Sequence, residues 1–255
     1  MTGLRRKWLP ALALGLSCLA ACAPSGGESH EAGQARSTAQ AQGDNHDATG
    51  QAGKVGVAQA SIPQGSGFDF YVLSLSWSPS YCEAEGSNAN RQQCAASRPY
   101  AFVVHGLWPQ YERGYPQKCG TDDRKVPGRI LRGLSDIMPS AGLIIHEWRT
   151  HGSCTGLAQS DYFDVLRAAR EKVVVPSDFR RLDAYRTLTP GDAEAEFLRA
   201  NPGLPADGIA VTCDRRLLRE VRICMTKDLA FRSCGEIDRR ACHQRQVVMP
   251  PVRGG

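Results

Sequence analysis

The chain carries two stretches that combine histidine, glutamate and tryptophan: FVVHGLWPQ at residues 102–110 and IHEWRTHGSC at residues 145–154. They hold three of the six histidines in the sequence, His105, His146 and His151, together with Glu147. Two imidazoles and a carboxylate form a complete set for general acid–base chemistry. Because aromatic and aliphatic residues flank this polar set, it is typical of a pocket rather than of a solvated surface.

The second stretch has the spacing of a helix that begins after Ser140 and ends near His151. At about 100° per residue, Glu147 and His151 lie about 40° apart around the helix axis, whereas His146 and His151 lie about 140° apart. We therefore expect Glu147 and His151 to face one pocket, with His146 at its edge. His105, which follows an apolar strand, would approach from the opposite side.

Two other interpretations compete with an acid–base enzyme. His146-Glu147 begins like the zinc motif H-E-x-x-H, but three residues separate Glu147 from His151, and two diverging histidines fit a common metal poorly. The sequence therefore predicts neither a metal nor a cofactor. The other interpretation is a binding module stapled by disulfides, whose histidines are hydrogen-bonded core groups. A cluster of three histidines and a glutamate among apolar residues favours the enzyme.

The first 21 residues predict an export signal. Basic residues at 5–7 precede an apolar run, Trp8 to Leu19, that is short for a membrane span. The run closes with Leu19-Ala-Ala-Cys22, which is similar to a bacterial lipobox, and this predicts cleavage before Cys22 and its acylation. The protein would then lie in the periplasm or at the outer membrane as a lipoprotein. The alternative is ordinary cleavage near Ala21 or Ala23, which would release a secreted protein.

Residues 22–66 differ in composition from residues 67–255, because they are rich in Ala, Gly, Ser and Gln and contain no aromatic residue. Such a segment cannot bury enough apolar surface to offset its ordering entropy, so we expect a disordered tether. Residues 67–255 have the length of one folded domain with a proper core.

Cysteine usage agrees with export. Without Cys18 of the signal and the acylated Cys22, eight cysteines remain, and an even number in an exported chain predicts four disulfides. Spacing alone does not decide among the roughly 105 possible pairings. The net charge of +5 includes three basic residues of the signal, which leaves about +2 for the mature chain. Charge alone therefore identifies no partner.

The folded part mixes strands and helices without regular alternation, which predicts an α+β fold. Alternating residues predict strands at 68–77, 209–213 and 217–225, and an apolar run predicts a central strand at 100–104 with His105 at its end. Helices are expected at 129–137, from Ser140, from Ser160, and after a Thr189–Asp192 capping signal.

Both histidine stretches resemble the two active-site segments of the ribonuclease T2 family, His-Gly-Leu-Trp-Pro and His-Glu-Trp-x-x-His-Gly-x-Cys. The run Phe70 to Cys82, FYVLSLSWSPSYC, is also similar to the opening strand of that family and its following cysteine. The resemblance extends from about Gly67 to Cys242. It implies a central antiparallel sheet flanked by helices and braced by four disulfides.

The resemblance also implies roles for single residues. His105 and His151 would be the acid–base pair, with His151 commonly the base of the first step and His105 the acid. Glu147 would assist at the phosphate, His146 would bind it, and Trp108 would help to form a base site. The activity implied is a metal-independent endoribonuclease, in which the 2′-hydroxyl of single-stranded RNA attacks the phosphate. The products would be a 2′,3′-cyclic phosphate and then a 3′-phosphate, with low base specificity.

By the same similarity, four disulfides are expected: Cys82–Cys94, Cys119–Cys154, Cys213–Cys242 and Cys224–Cys234. One position departs from the family pattern, because many members have lysine where this chain has Thr150. An arginine from residues 215–222 would be one substitute, although a solvated strand surface explains those arginines more simply. The departure motivates an alternative function, a catalytically weak or silent RNA-binding lipoprotein of the cell envelope. Besides RNA and a membrane reached through the lipid anchor, the sequence predicts no partner.

Overall fold

The computed structural model of the protein describes residues 61–95 and 97–252. The expected signal at 1–21, the acylated Cys22 and most of the 22–66 tether lie outside the described residues. Within the described residues, no helix is long and apolar enough to cross a membrane.

Six strands and eight α-helices alternate irregularly along the described chain. The strands are β1 Phe70–Trp77, β2 Phe102–Gln110, β3 Arg186–Leu188, β4 Ile209–Cys213, β5 Leu218–Met225 and β6 Val247–Met249. The helices are α1 Ser78–Glu85, α2 Arg91–Cys94, α3 Gly128–Gly133, α4 Ala141–Thr150, α5 Gln159–Lys172, α6 Ser177–Arg180, α7 Pro190–Ala200 and α8 Gly235–Asp238. The α+β class is confirmed.

The central sheet is antiparallel and has the strand order β2-β1-β5-β4, while β3 and β6 form a separate pair. The expectation that the strand before His105 is central was wrong, because β2 forms an edge of this sheet. Its end was also misplaced: β2 continues through Gly106 to Gln110, so His105 lies inside the strand. An apolar run predicts burial on both faces but does not show how many neighbours a strand has.

The two faces of β1 differ in what they cover. Tyr71, Leu73, Leu75 and Trp77 lie in the main core, as their alternation predicts, and α5 and α7 contribute buried aromatic residues to that core. The opposite face carries a smaller apolar cluster at one end and the serines Ser74 and Ser76 towards the other. The small side chains leave room above the sheet, and this is where the histidines lie.

Capping residues set several helix ends. Ser140 accepts a hydrogen bond from the backbone N–H of Leu143 and caps α4, and Thr189 and Asp192 form a reciprocal capping box at α7, both as predicted. Ser160 is not a cap, because α5 begins at Gln159 after Ala158. Helix α3 is also shorter than expected and ends at Gly133.

Candidate active site

A β-bulge places His105. Gly106 pairs with Ser74 and Val104 pairs with Leu75, so His105 is the extra residue of β2 between two consecutive pairs. A bulge leaves one residue outside the ladder and re-aims its side chain. The imidazole of His105 reaches Glu220 of β5, which pairs with Ser76 on the far side of β1.

Glu220 holds His105 at one ring nitrogen. The Nδ1 of His105 lies 2.5 Å from the Oε1 of Glu220, and the side chain of Glu220 is only 12% exposed. This contact leaves the Nε2 of His105 as the nitrogen available for chemistry, and that Nε2 lies 3.8 Å from the Oε1 of Glu147.

Helix α4 delivers the second set of side chains. Glu147 is buried on the core side of the helix, with 1% of its side chain exposed, and its Oε2 accepts a hydrogen bond of 2.8 Å from the indole Nε1 of Trp108. His146 is exposed, and its Nε2 lies 3.5 Å from the Thr150 hydroxyl. His151 follows the last helical residue, and its backbone N–H donates to the Glu147 carbonyl.

Trp108 connects the two catalytic candidates. The ring centroid of His105 lies 5.3 Å from that of Trp108, and the ring centroid of His151 lies 5.6 Å from it. The Nδ1 of His151 is buried and has no hydrogen-bond partner among the described residues. The Nε2 of His151 is therefore the ring nitrogen that can face a ligand.

A cleft of about 480 Å³ opens beside these rings. Its walls come from β2 and the loop after it, from α4 and its C-terminal end, from β5 and from the region of α8. The residues that line it are Trp108, Gln110, Tyr115, Gln117, Lys118, His146, Thr150, His151, Arg222, Ile237 and Arg240. Of the tyrosines at 111 and 115 that follow Trp108, only Tyr115 lines the cleft.

The surroundings give the two histidines opposite proton affinities. Burial alone would lower the pKa of His105, but the hydrogen bond and charge of Glu220, together with the charge of Glu147, raise it above the usual 6.5. Burial, with the nearby His146 and His105, lowers the pKa of His151 to about 4. His105 therefore holds its proton to a higher pH than an ordinary histidine does, and His151 loses its proton at a lower pH.

The two carboxylates also differ. Burial raises the pKa of Glu147 to about 7, against the effects of His105 and the Trp108 N–H. For Glu220, burial acts in the same direction, but the hydrogen bond and charge of His105 and the guanidinium of Arg222 prevail and lower its pKa to about 2. Glu220 is thus ionised across the neutral and mildly acidic range, and Glu147 changes its protonation state near neutrality.

The structure brings together all five residues that the sequence singled out: His105, Trp108, His146, Glu147 and His151. It adds Glu220, which was missed, and Arg222, which the sequence offered only as one of the arginines of residues 215–222; both lie on β5. The expectation of a solvated strand surface for the arginines of residues 215–222 was wrong for Arg222, which lines the cleft. Only its position two residues after Glu220, on the same face of a strand, could have signalled it.

Trp148 belongs to the core, and the cysteines pair as expected. Trp148 is buried in the core and packs against Tyr162 and Phe163. The four disulfides implied by the resemblance are present: Cys82–Cys94, Cys119–Cys154, Cys213–Cys242 and Cys224–Cys234. Within the described range, no group of three or more His, Cys, Asp or Glu side chains is arranged to hold a metal ion.

Comparison with known proteins gives one consistent result. A ribonuclease of Aeromonas hydrophila is 39% identical over 195 residues, which cover 73% of this chain and 87% of that protein. An RNase-related protein from Calystegia sepium has the same fold, with a TM-score of 0.55, 19% identity and coverage of 73% of this chain and 99% of the other. Ribonuclease MC1 from bitter gourd seeds also has a TM-score of 0.55, with 18% identity and coverage of 71% and 99%. The family model of ribonuclease T2 matches residues 68–234, and the chain therefore belongs to the ribonuclease T2 family.

Proposed function

We propose that the protein is a metal-independent endoribonuclease that cleaves single-stranded RNA by transesterification through the 2′-hydroxyl. The observation that carries the proposal is the arrangement of His105 and His151, whose rings both pack against Trp108 but differ in proton affinity. A displacement that removes one proton and delivers another needs such a pair.

The pair suggests a direction for the first step. The neutral His151 accepts the 2′-hydroxyl proton through Nε2 while the 2′-oxygen attacks phosphorus. The protonated His105 donates its Nε2 proton to the departing 5′-oxygen, which leaves a 2′,3′-cyclic phosphate. In the second step the histidine roles are exchanged. His105, now neutral, accepts a proton from water as the water oxygen attacks phosphorus, and His151, now protonated, donates to the departing 2′-oxygen. The product is a 3′-phosphate.

His146 and Glu147 take supporting roles. His146 is exposed at the cleft next to Thr150, so it can donate to a non-bridging phosphate oxygen. Glu147 lies below the cleft floor, where it orients the indole of Trp108 and borders the reactive nitrogen of His105. Because only 1% of its side chain is exposed, it would assist at the phosphate through these two neighbours.

The base site would lie along the same cleft. Trp108 and Tyr115 offer aromatic faces and Gln110 a polar group within one lining. Stacking on an aromatic face is worth about 1–3 kcal/mol per base and discriminates weakly among bases. We therefore propose low base specificity.

The alternative, a silent RNA-binding lipoprotein, rests on Thr150 alone. Both imidazoles, the buried carboxyl and an open cleft are in place, so the site favours turnover over binding alone.

The test is RNA cleavage by purified protein in excess chelator. His105→Ala and His151→Ala should each lose about 10²- to 10⁴-fold in kcat, the usual value of a general acid or base. His243→Ala is the matched control, because His243 is exposed and lies outside the cleft. A wild-type protein that binds RNA without cleaving it would instead establish the silent alternative.

We further propose that the enzyme is exported and anchored through an acylated Cys22 in the cell envelope. The sequence LAAC at residues 19–22 supports this. Mass spectrometry of the N-terminal peptide should find a diacylglyceryl group on Cys22. An unmodified N-terminus downstream of Cys22 would refute the anchor and favour secretion.

A further inference from the structure

Glu220 and Arg222 lie two residues apart on β5, and both face the active site. Glu220 pairs with Ser76 of β1 and Arg222 pairs with Ser74, so both lie on the face that carries the bulged His105. The intervening serines are small, and this lets the longer side chains of β2 and β5, the two neighbours of β1, meet above β1.

One carboxylate fixes both its basic neighbours. The Oε1 of Glu220 binds the Nδ1 of His105 at 2.5 Å. Its Oε2 accepts two hydrogen bonds from Arg222, one from Nε at 3.0 Å and one from Nη2 at 2.8 Å. The relative position of the guanidinium and the imidazole is therefore set by a single buried group.

The guanidinium is also held against the cleft wall. The central carbon of the Arg222 guanidinium lies 5.0 Å from the ring centroid of Trp108, a cation–π distance. Arg222 lines the cleft together with His151 and His146. Its third nitrogen, Nη1, has no hydrogen bond to any residue in the described part of the chain, so it can donate to a ligand.

The other basic residues of the cleft are less well placed. Lys118 is exposed, and the side chain of Arg240 is 60% exposed and paired with Glu236. The side chain of Arg222 is 28% exposed. Arg222 is also paired, with Glu220, but solvent screens exposed charges more strongly, so the charge of Arg222 is the least screened by solvent among these three cations.

We propose that Arg222 is a further catalytic residue of this enzyme, which donates to a non-bridging oxygen of the scissile phosphate, and that Glu220 is the positioning residue for Arg222 and His105. The proposal rests on the ribonuclease function proposed above. The phosphate gains negative charge as the 2′-oxygen bonds to phosphorus and loses it as the 5′-oxygen departs. A preorganised cation stabilises that transient charge without having to reorganise.

Arg222→Met is the variant that tests the catalytic part, and Arg219→Met is its matched control. Arg219 lies on the same strand, is 29% exposed and is paired with Asp214, but it does not line the cleft. We expect Arg222→Met to lower kcat by about a hundredfold at its own optimal pH, and Arg219→Met to stay within about threefold of wild type. A kcat of Arg222→Met within about threefold of wild type, or an equal loss of kcat in both variants, would overturn the proposal.

A second measurement uses the unaltered protein. In an NMR titration with a 3′-nucleotide, the Nε–Hε resonance of Arg222 should shift with saturation and that of Arg219 should not. A stationary Arg222 resonance in a protein that binds the nucleotide would overturn the contact. Failure of the wild-type protein to cleave RNA would count against the proposed function, whereas the titration would still report on Arg222.

Discussion

His105 and His151 have identical side chains, but their surroundings in the protein differ. His105 is tied to a carboxylate at Nδ1, while the Nδ1 of His151 is buried without a partner among the described residues. A carboxylate partner stabilises the charged imidazole and burial destabilises it. The pKa of His105 is thereby raised and that of His151 lowered, as the proposed opposite proton transfers require.

The pH dependence of kcat/KM follows from these proton affinities. His151 must be neutral to act as base, so activity should fall as the pH drops through about 4. His105 must be protonated to act as acid, so activity should fall as the pH rises through its raised pKa, above 6.5. We expect a bell-shaped profile with a mildly acidic optimum, whose limbs belong to coupled groups. An acid limb at or above the ordinary histidine value of 6.5 would contradict these assignments.

Glu220→Gln tests the origin of the raised pKa of His105. Loss of the anion removes the main support for the imidazolium, so the alkaline limb should move to lower pH by about 1 unit or more. Glu194→Gln serves as control, because Glu194 is a partly buried glutamate of α7 that binds the backbone N–H of Val211 instead. The profile of that variant should match wild type. An unmoved alkaline limb in Glu220→Gln would show that another group sets the pKa of His105.

Among the secondary-structure elements, β2 is the strand that assembles the site, and Gly106 is its tightest point. A methyl group on Gly106 would overlap the Oε2 of Glu147 and the indole nitrogen of Trp108. The absence of a side chain is what allows these two groups to meet.

Gly106→Ala should therefore lower kcat by about a hundredfold, since displacements near 1 Å at a reacting centre carry costs of that size. Gly133→Ala at the end of α3 is the control, because nothing lies within 4 Å of a methyl group there. Steady-state kinetics and the indole N–H resonance of Trp108 report the effect. Wild-type kinetics in Gly106→Ala would mean that the Trp108–Glu147 contact is dispensable.

The Cys119–Cys154 disulfide joins the loop after β2 to the segment after α4, next to the backbone hydrogen bond from Lys118 to the Thr150 carbonyl. Replacing both cysteines with serine should lower the free energy of unfolding by about 2–4 kcal/mol. It should also lower kcat, because His151 and the cleft wall lose their brace.

Serine replacement of Cys82 and Cys94 is the comparison. This bridge links α1 to α2 away from the cleft, so it should reduce stability and leave kcat unchanged. Chemical denaturation and kinetics on both double variants separate the two effects. A kcat equal to that of wild type in both double variants would show that the Cys119–Cys154 disulfide contributes to stability alone.

The sequence predicted the elements better than their arrangement. Alternation correctly identified β1 and its core-facing residues, and the caps at Ser140 and Thr189 were correct. The bulge at His105 and the edge position of β2 depend on which strands pair, and residue spacing does not encode this. Glu220 was missed, and Arg222 was not distinguished from the other arginines of residues 215–222, for the same reason, since their placement at the site arises only when β5 lies beside β1.

In the molecule as a whole, one sheet face and one helix end supply the residues of the proposed site. The sheet contributes His105, its partner Glu220 and Arg222, and α4 and its C-terminal end contribute the buried Glu147 and His151. The main core on the other face of the sheet and four disulfides fix the relative positions of these parts. The small net charge of the chain, +5, fits recognition by this local site rather than by a broad basic surface.

The proposed mechanism depends above all on the 2′-hydroxyl of RNA as the nucleophile, and a DNA strand with a single ribonucleotide isolates that group. In excess chelator the enzyme should cut this strand only after the ribonucleotide and leave a 2′,3′-cyclic phosphate, detected by mass spectrometry before it is hydrolysed. Cleavage at deoxynucleotides, or a product with a 5′-phosphate, would contradict the mechanism.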